Sequence, residues 1–199
     1  QVRLVIVPRA ITASYNMTDT FTKTYDGSSS YDATRLLQYL VFTDGAMTIA
    51  YEGSQFILTQ NYSANITYTI NGIETPINIA NESIFYNITL SGINLAYGTY
   101  NNNFTLNNDT VTFLNSIRIM KRELNILGIQ VNDKVYDGTT DVTIRQDANI
   151  SLQGVLSNDD VSLIVDNLDI KFVDSTIGLQ KQVNINSESA LIGADAQNY

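Results

Sequence analysis

The chain has 199 residues, long enough for one large domain or two of about 100 residues each. Its 44% hydrophobic content is ample for a packed core, and the absence of cysteine, histidine and tryptophan removes Cys–His nucleophiles, Ser–His–Asp triads, His or Cys zinc sites and disulfide frameworks. Eleven basic residues against 20 acidic ones, with a pI near 4.3, argue against binding nucleic acid or anionic lipid through bulk charge, and no apolar run approaches the ~18 residues of a membrane span.

Taken in order, the chain reads as strands separated by turns. It starts at Gln1–Val7, neither a starter methionine nor a signal peptide, as a segment of a longer protein would. "VRLVIV" alternates as a strand does, and "KTYDGSS" at 23–29 follows it with a turn signal, Asp26-Gly27. "SYDATRLLQYLVF", Ser30 to Phe42, places Leu36, Leu37 and Leu40 at helical spacing behind a Ser/Asp start, so a short helix is expected there. "NITYTI" sets Ile66, Tyr68 and Ile70 against Asn65, Thr67 and Thr69, a half-buried strand with period 2. "DVSLIVD" repeats the pattern with Val161, Leu163 and Val165, and "DIKFVD" with Ile170 and Phe172. Asp44-Gly45, Asn71-Gly72, Ser91-Gly92 and Asp137-Gly138 mark further tight turns.

Two stretches are near copies: "KTYDGSS" at 23–29 and "KVYDGTT" at 134–140. "PRAIT" at Pro8–Thr12 precedes the first and "KRELN" at Lys121–Asn125 the second, each behind an alternating apolar strand, "VRLVIV" and "SIRIM", and an Asn-aromatic pair closes each, Asn103-Phe104 and Asn198-Tyr199. The spacing is longer in the first copy, which places an insertion in Gly53–Pro76. The expectation is all-β: two tandem antiparallel β domains, sandwich or β-grasp-like, covering 1–120 and 121–199. "SIRIMKRELNI" supplies no flexible spacer between them, so an end-to-end rod is expected. The first copy continues past "NNNF" through "TVTFLNSIRIM", whereas the second has no such continuation, so its last strand is expected to be missing and a sheet edge left open.

Asp-Gly suits a two-residue hairpin turn, because both positions tolerate positive φ. On that reading Tyr25, Asp26, Gly27, Tyr136, Asp137 and Gly138 form a structural corner, each tyrosine burying its ring beside the turn. The functional alternative makes the tyrosines and aspartates ligand contacts.

"KVYDGTTDVTI", "GVLSNDDVSL", "FVDSTIG" and "GADAQNY" together resemble the YDG repeat of bacterial surface adhesins, over almost all of Leu124–Tyr199. In the first copy only "KTYDGSS" and "SGIN…NNNF" match, so that copy is a divergent one. The resemblance implies an extracellular, cell-surface, non-enzymatic protein whose partners are further repeats of the same protein, serving mainly as a stalk. The alternative is an adhesin module that itself binds a host glycan or matrix glycoprotein.

Carboxylates are the one catalytic class left open, and they do not pair. Asp159 and Asp160 are adjacent, so on a strand they would point to opposite faces, and Asp19, Asp44, Glu52 and Glu74 are isolated. Asp137, Asp141 and Asp147 lie close in sequence without a calcium-loop pattern. No catalytic residue, metal or cofactor is therefore expected. The triplets at Asn16, Asn65 and Asn87 read as chance in a chain rich in Asn and Thr. Tyr97 and Tyr100 read as core residues beside turns, with a polar aromatic binding surface as the alternative. Finally, surface proteins without disulfides sometimes carry Lys–Asn amide bonds. Lys23 with Asn103 and Lys134 with Asn198 are the candidates here, against the plainer reading of lysines whose stems cover a tyrosine.

Overall fold

The computed structural model describes residues 4–45, 48–50, 58–97, 101–186 and 190–199. It is all-β, with short helical turns, and divides into two units, Gln1–Met120 and Lys121–Tyr199.

The first unit contains β1 (Arg9–Tyr15), β2 (Phe21–Thr24), β3 (Ser30–Tyr31), β4 (Leu40–Thr43), β5 (Thr48–Ala50), β6 (Ser63–Ile70), β7 (Ile73–Pro76), β8 (Asn81–Ser91), β9 (Phe104–Leu106) and β10 (Thr110–Met120). They form a four-stranded sheet, β5-β4-β1-β9, and a larger one, β2-β10-β8-β6-β3, with β7 hairpinned onto β6. Most neighbours are antiparallel, but β9 runs parallel to β1 and β2 parallel to β10. The sheets stack as a sandwich, and the Tyr15 ring of β1 lies 4.7 Å from the Phe113 ring of β10. The core is what the alternation dictates: Ile11 and Ala13, Leu40 and Phe42, Ala64 and Ile66, Ile88 and Leu90, Phe113, Ile117 and Ile119 are all buried.

Two expectations are refined. The Ser30–Phe42 stretch forms two single 3-10 turns, Ala33–Arg35 and Leu37–Tyr39, the first capped by Asp32 accepting from Thr34 N–H at 3.0 Å. It stops there because Leu40 takes extended dihedrals and enters β4, carrying Leu36 and Leu40 into the core together. In β6 the inward face ends at Ile66. Tyr68 and Ile70 are substantially exposed where the strand runs on into the β6–β7 hairpin. That hairpin closes at Asn71-Gly72 with φ of 51° and 81°, the doubly positive turn that Asn-Gly was expected to make. Of Gly53–Pro76, residues 53–57 lie outside the described residues, as does Glu52.

The second unit has shorter strands: β11 (Asn125–Leu127), β12 (Ser151–Gln153), β13 (Ser162–Leu163), β14 (Asp169–Phe172), β15 (Val183–Asn186) and β16 (Leu191–Ile192). They pair as β11–β12, β13–β16 and β14–β15, all antiparallel, with single bridges at Val131–Ile144 and Asp141–Lys171. Val165 leaves the expected alternation, because the chain turns into a 3-10 segment at Val165–Asn167. Its fully buried apolar residues are few among those described: Ile170, Ala190 and Tyr199. Several large apolar side chains stay in water, Val135, Ile177 and Leu179 foremost.

Candidate functional site

The repeated corner is built the same way twice. In the first unit Asp26 Oδ1 accepts from Ser28 N–H at 3.0 Å, closing an Asx turn, and Gly27 sits at φ 77°. Lys23, three residues earlier on β2, reaches back over this turn. Its Nζ donates to the Ser28 carbonyl at 2.7 Å and the Ser30 carbonyl at 2.8 Å, and pairs with Asp26 Oδ1 at 2.8 Å. In the second unit Asp137 Oδ1 accepts from Thr139 N–H at 2.8 Å and Gly138 sits at φ 79°. Lys134 Nζ donates to the Thr139 carbonyl at 3.3 Å and the Asp141 carbonyl at 3.1 Å, and pairs with Asp137 Oδ1 at 2.9 Å. It gains one further acceptor, Thr139 Oγ1 at 2.6 Å. Each ammonium therefore gathers two backbone carbonyls together with the carboxylate that makes the turn.

This corrects the expected turn. Neither Asp26 nor Asp137 has positive φ; only the glycines do. A two-residue hairpin would need both positions left-handed, whereas here the aspartate side chain closes the turn and the glycine alone supplies the left-handed residue.

The chain leaves both corners in the same way. Ser30 pairs with Asn65, and the Ser29 carbonyl accepts from Ile66 N–H at 2.6 Å. Asp141 bridges Lys171, and the Thr140 carbonyl accepts from Phe172 N–H at 2.8 Å. The tyrosines differ. Tyr25 is 3% exposed and its N–H donates to the Met120 carbonyl at 2.9 Å, whereas Tyr136 is 65% exposed. The expectation that both rings are buried holds for Tyr25 and fails for Tyr136, because β10 covers the first corner and no described strand covers the second.

A third clasp escaped sequence reading. Asp174 Oδ1 accepts from Thr176 N–H at 2.8 Å and from Lys181, whose Nζ also donates to the Thr176 carbonyl at 2.6 Å. Here the lysine follows the turn, so its order hides the likeness to the other two. The three turns share Asp-x-Ser/Thr, at Asp26–Ser28, Asp137–Thr139 and Asp174–Thr176, but Asp32–Thr34, Asp141–Thr143 and Asp160–Ser162 carry the same pattern, so it does not single the third clasp out.

The electrostatics derive from the clasps. The side-chain hydrogen bond with Lys134, reinforced by the Thr139 N–H, holds the Asp137 carboxyl down to about 2. Lys181 and Thr176 hold Asp174 down to about 2 in the same way. Lys171 lowers Asp141, and Asp147 is lowered by Arg145, so Asp137, Asp141 and Asp147 each face a different cation.

The remaining carboxylates are dispersed. Asp159 accepts from the Tyr199 hydroxyl at 2.7 Å, while Asp160 accepts from Ala194 N–H at 3.1 Å. Asp19 accepts from the Tyr39 hydroxyl at 2.9 Å, and Asp44 pairs with Arg9. Burial works to raise Glu74, but Thr67, Thr69 and Asn87 donate to it and leave it below its ordinary value. Asn103 is exposed and closes a 3-10 turn, whereas Asn198 is buried and its carbonyl accepts from Arg122 N–H at 2.9 Å. The Lys23 and Lys134 ammonium groups point into their own turns, toward carbonyls and a carboxylate. Tyr97 is 95% exposed, which overturns its reading as core; Tyr100 lies outside the described residues.

Residues 120–199 match the family model of the YDG domain. No curated protein and no solved structure matches the chain. The YDG-domain match spans Lys134, Tyr136, Asp137 and Gly138, so the second corner lies within it and the first lies outside it.

Proposed function

We propose that the two units are copies of one non-enzymatic structural domain, the first divergent, and that they serve as a spacer in an extracellular bacterial surface adhesin. The observation that carries this reading is the clasp. The charged groups of the repeated motif hold their own backbone: the lysine binds two carbonyls, and the aspartate binds an N–H and the ammonium. A motif spent on its own turn fixes the shape of the chain and presents little to a ligand. The partners on this reading are further repeats of the same protein, with no nucleic acid, membrane or cofactor involved in this segment. Among the described residues no helix is long and apolar enough to cross a membrane.

A second reading, recognition of a host glycan or glycoprotein, is favoured by the exposed ring of Tyr97 beside Asn94 and Asn102. Presenting the chain to arrayed glycans and matrix glycoproteins decides between the two. A spacer gives no saturable binding, and binding lost on Tyr97→Ala would replace it with the recognition reading. Small-angle scattering adds a shape test, since a spacer predicts an extended pair of units and a compact one counts against it.

A further inference from the structure

In the first unit β10 lies between β2 and β8. It runs parallel to β2, with Ile117 opposite Phe21 and Met120 opposite Thr24, and antiparallel to β8, with Val111 opposite Leu90. The second unit holds the counterparts of both neighbours. Lys134 matches Lys23 through the clasp, so Asn132–Val135 stands where β2 stands. The carbonyl just beyond the corner accepts from Ile66 on β6 and from Phe172 on β14, so β14 stands for β6. β15 pairs with β14 as β8 pairs with β6, so β15 stands for β8.

Nothing among the described residues stands for β10. Side chains that such a strand would cover are in water. Leu90 is 0% exposed while Ile185, at the matching register, is 42% exposed, and Tyr25 and Tyr136 contrast in the same sense. A groove of about 560 Å³ opens beside the corner, with Lys134 and Tyr136 on one side and Ile177, Leu179 and Lys181 of the loop between β14 and β15 on the other.

We propose that the second unit takes a β-strand of the β10 type into the place between Asn132–Tyr136 and β15, parallel to the first and antiparallel to the second. The occupant is an extended segment with apolar residues where β10 has Val111, Phe113, Ile117 and Ile119, the side chains that are buried in the first unit. Main-chain hydrogen bonds supply the pairing and the apolar alternation fixes the register, as in strand addition to a sheet edge. A backbone carbonyl of the incoming strand meets Tyr136 N–H, as the Met120 carbonyl meets Tyr25 N–H. The proposal rests on the reading of the two units as copies of one domain.

The test uses the full 199-residue chain and a synthetic peptide of the Thr110–Met120 sequence, with amide hydrogen exchange read residue by residue. The expected result is exchange slowed at least about tenfold at Tyr136 and at Val183–Asn186, with Tyr25 unchanged. A control peptide with Ile117→Asp and Ile119→Asp gives no slowing, and Ile185→Lys in the chain abolishes the effect of the parent peptide. The proposal is overturned by unchanged exchange, by equal slowing with the control peptide, or by slowing that depends on chain concentration without peptide, which would mark a second copy as the occupant. The lysine ammonium signals of Lys23 and Lys134 tell the two failures apart. If both are seen and no slowing occurs, only the strand is wrong; if Lys134 shows no clasp, the copy reading is wrong.

Discussion

The two corners make the same turn and bury different things. Lys23 and Lys134 take matching carbonyls, Asp26 and Asp137 accept matching N–H groups, and Gly27 and Gly138 have nearly the same φ, 77° and 79°. Yet Tyr25 is a core residue and Tyr136 is not. The turn is thus a local object, fixed by a handful of neighbouring residues, while the burial of its tyrosine is decided by β10, which arrives from far along the chain. Equal motifs therefore need not be equally stable, and substitution at matched positions separates the local share from the non-local one.

The largest contrast is at the tyrosines. Tyr25→Ala empties a buried aromatic site and is expected to lower the stability of the first unit by about 3–5 kcal/mol in denaturant unfolding. Tyr136→Ala removes an exposed ring and should stay within about 0.5 kcal/mol. Equal losses at the two positions would break the comparison.

Glycine substitution tests the shared part. Gly27→Ala and Gly138→Ala force a side chain into the left-handed region, and each is expected to cost about 1–2 kcal/mol. A Cβ at Gly138 would meet nothing within 4 Å, so the cost there is backbone strain alone. A markedly larger loss at one corner than at the other would show that the turns are not equivalent.

Acid sharpens the picture for the second unit. Asp137 and Asp174 are held at about 2, below their ordinary value of 3.8. Groups with a lowered folded-state value bind protons less readily folded than unfolded, so their stabilisation is complete above about 4 and is lost as pH falls toward 2. The melting temperature of the second unit should drop across that window. Lys134→Met should flatten the drop and move the Asp137 carboxyl, followed by NMR titration, up toward 3.8. An Asp137 titration unmoved by Lys134→Met would refute the clasp as its cause.

The smallest effect concerns mass. With both ammonium groups held in their corners, the intact mass should equal that of the unmodified chain. A deficit of about 17 Da would show a lysine joined to an asparagine as an amide instead, with loss of ammonia.

Much of this was legible in the residues. Alternation located β6 and β14, Asn71-Gly72 announced its own hairpin, and the copied Lys-x-Tyr-Asp-Gly marked both corners. The turn type was not legible, because Asp-Gly serves equally for a doubly left-handed hairpin and for an Asx turn, and only the register of the flanking strands separates them. The role of the lysines was hidden for a different reason. Their acceptors are backbone carbonyls, which every residue carries, so no side-chain pattern betrays them. The third clasp, at Asp174–Lys181, was missed because its lysine comes after the turn. The exposure of Tyr136 was out of reach, since it depends on a strand that pairs across the sheet and not on its neighbours in sequence.

The central claim is that the copied motif is a lysine-clasped turn, made alike in both units. Its most direct test is a lysine-selective ¹H–¹⁵N correlation of the side-chain ammonium groups near neutral pH. Free ammonium protons exchange with water too fast to be seen, whereas those held by several acceptors persist. The expected spectrum shows Nζ signals for Lys23, Lys134 and Lys181, each with contacts to its own turn, and none for the exposed Lys121. A spectrum that lacks Lys23 or Lys134 would contradict the clasp, and with it the reading of the two corners as one device used twice.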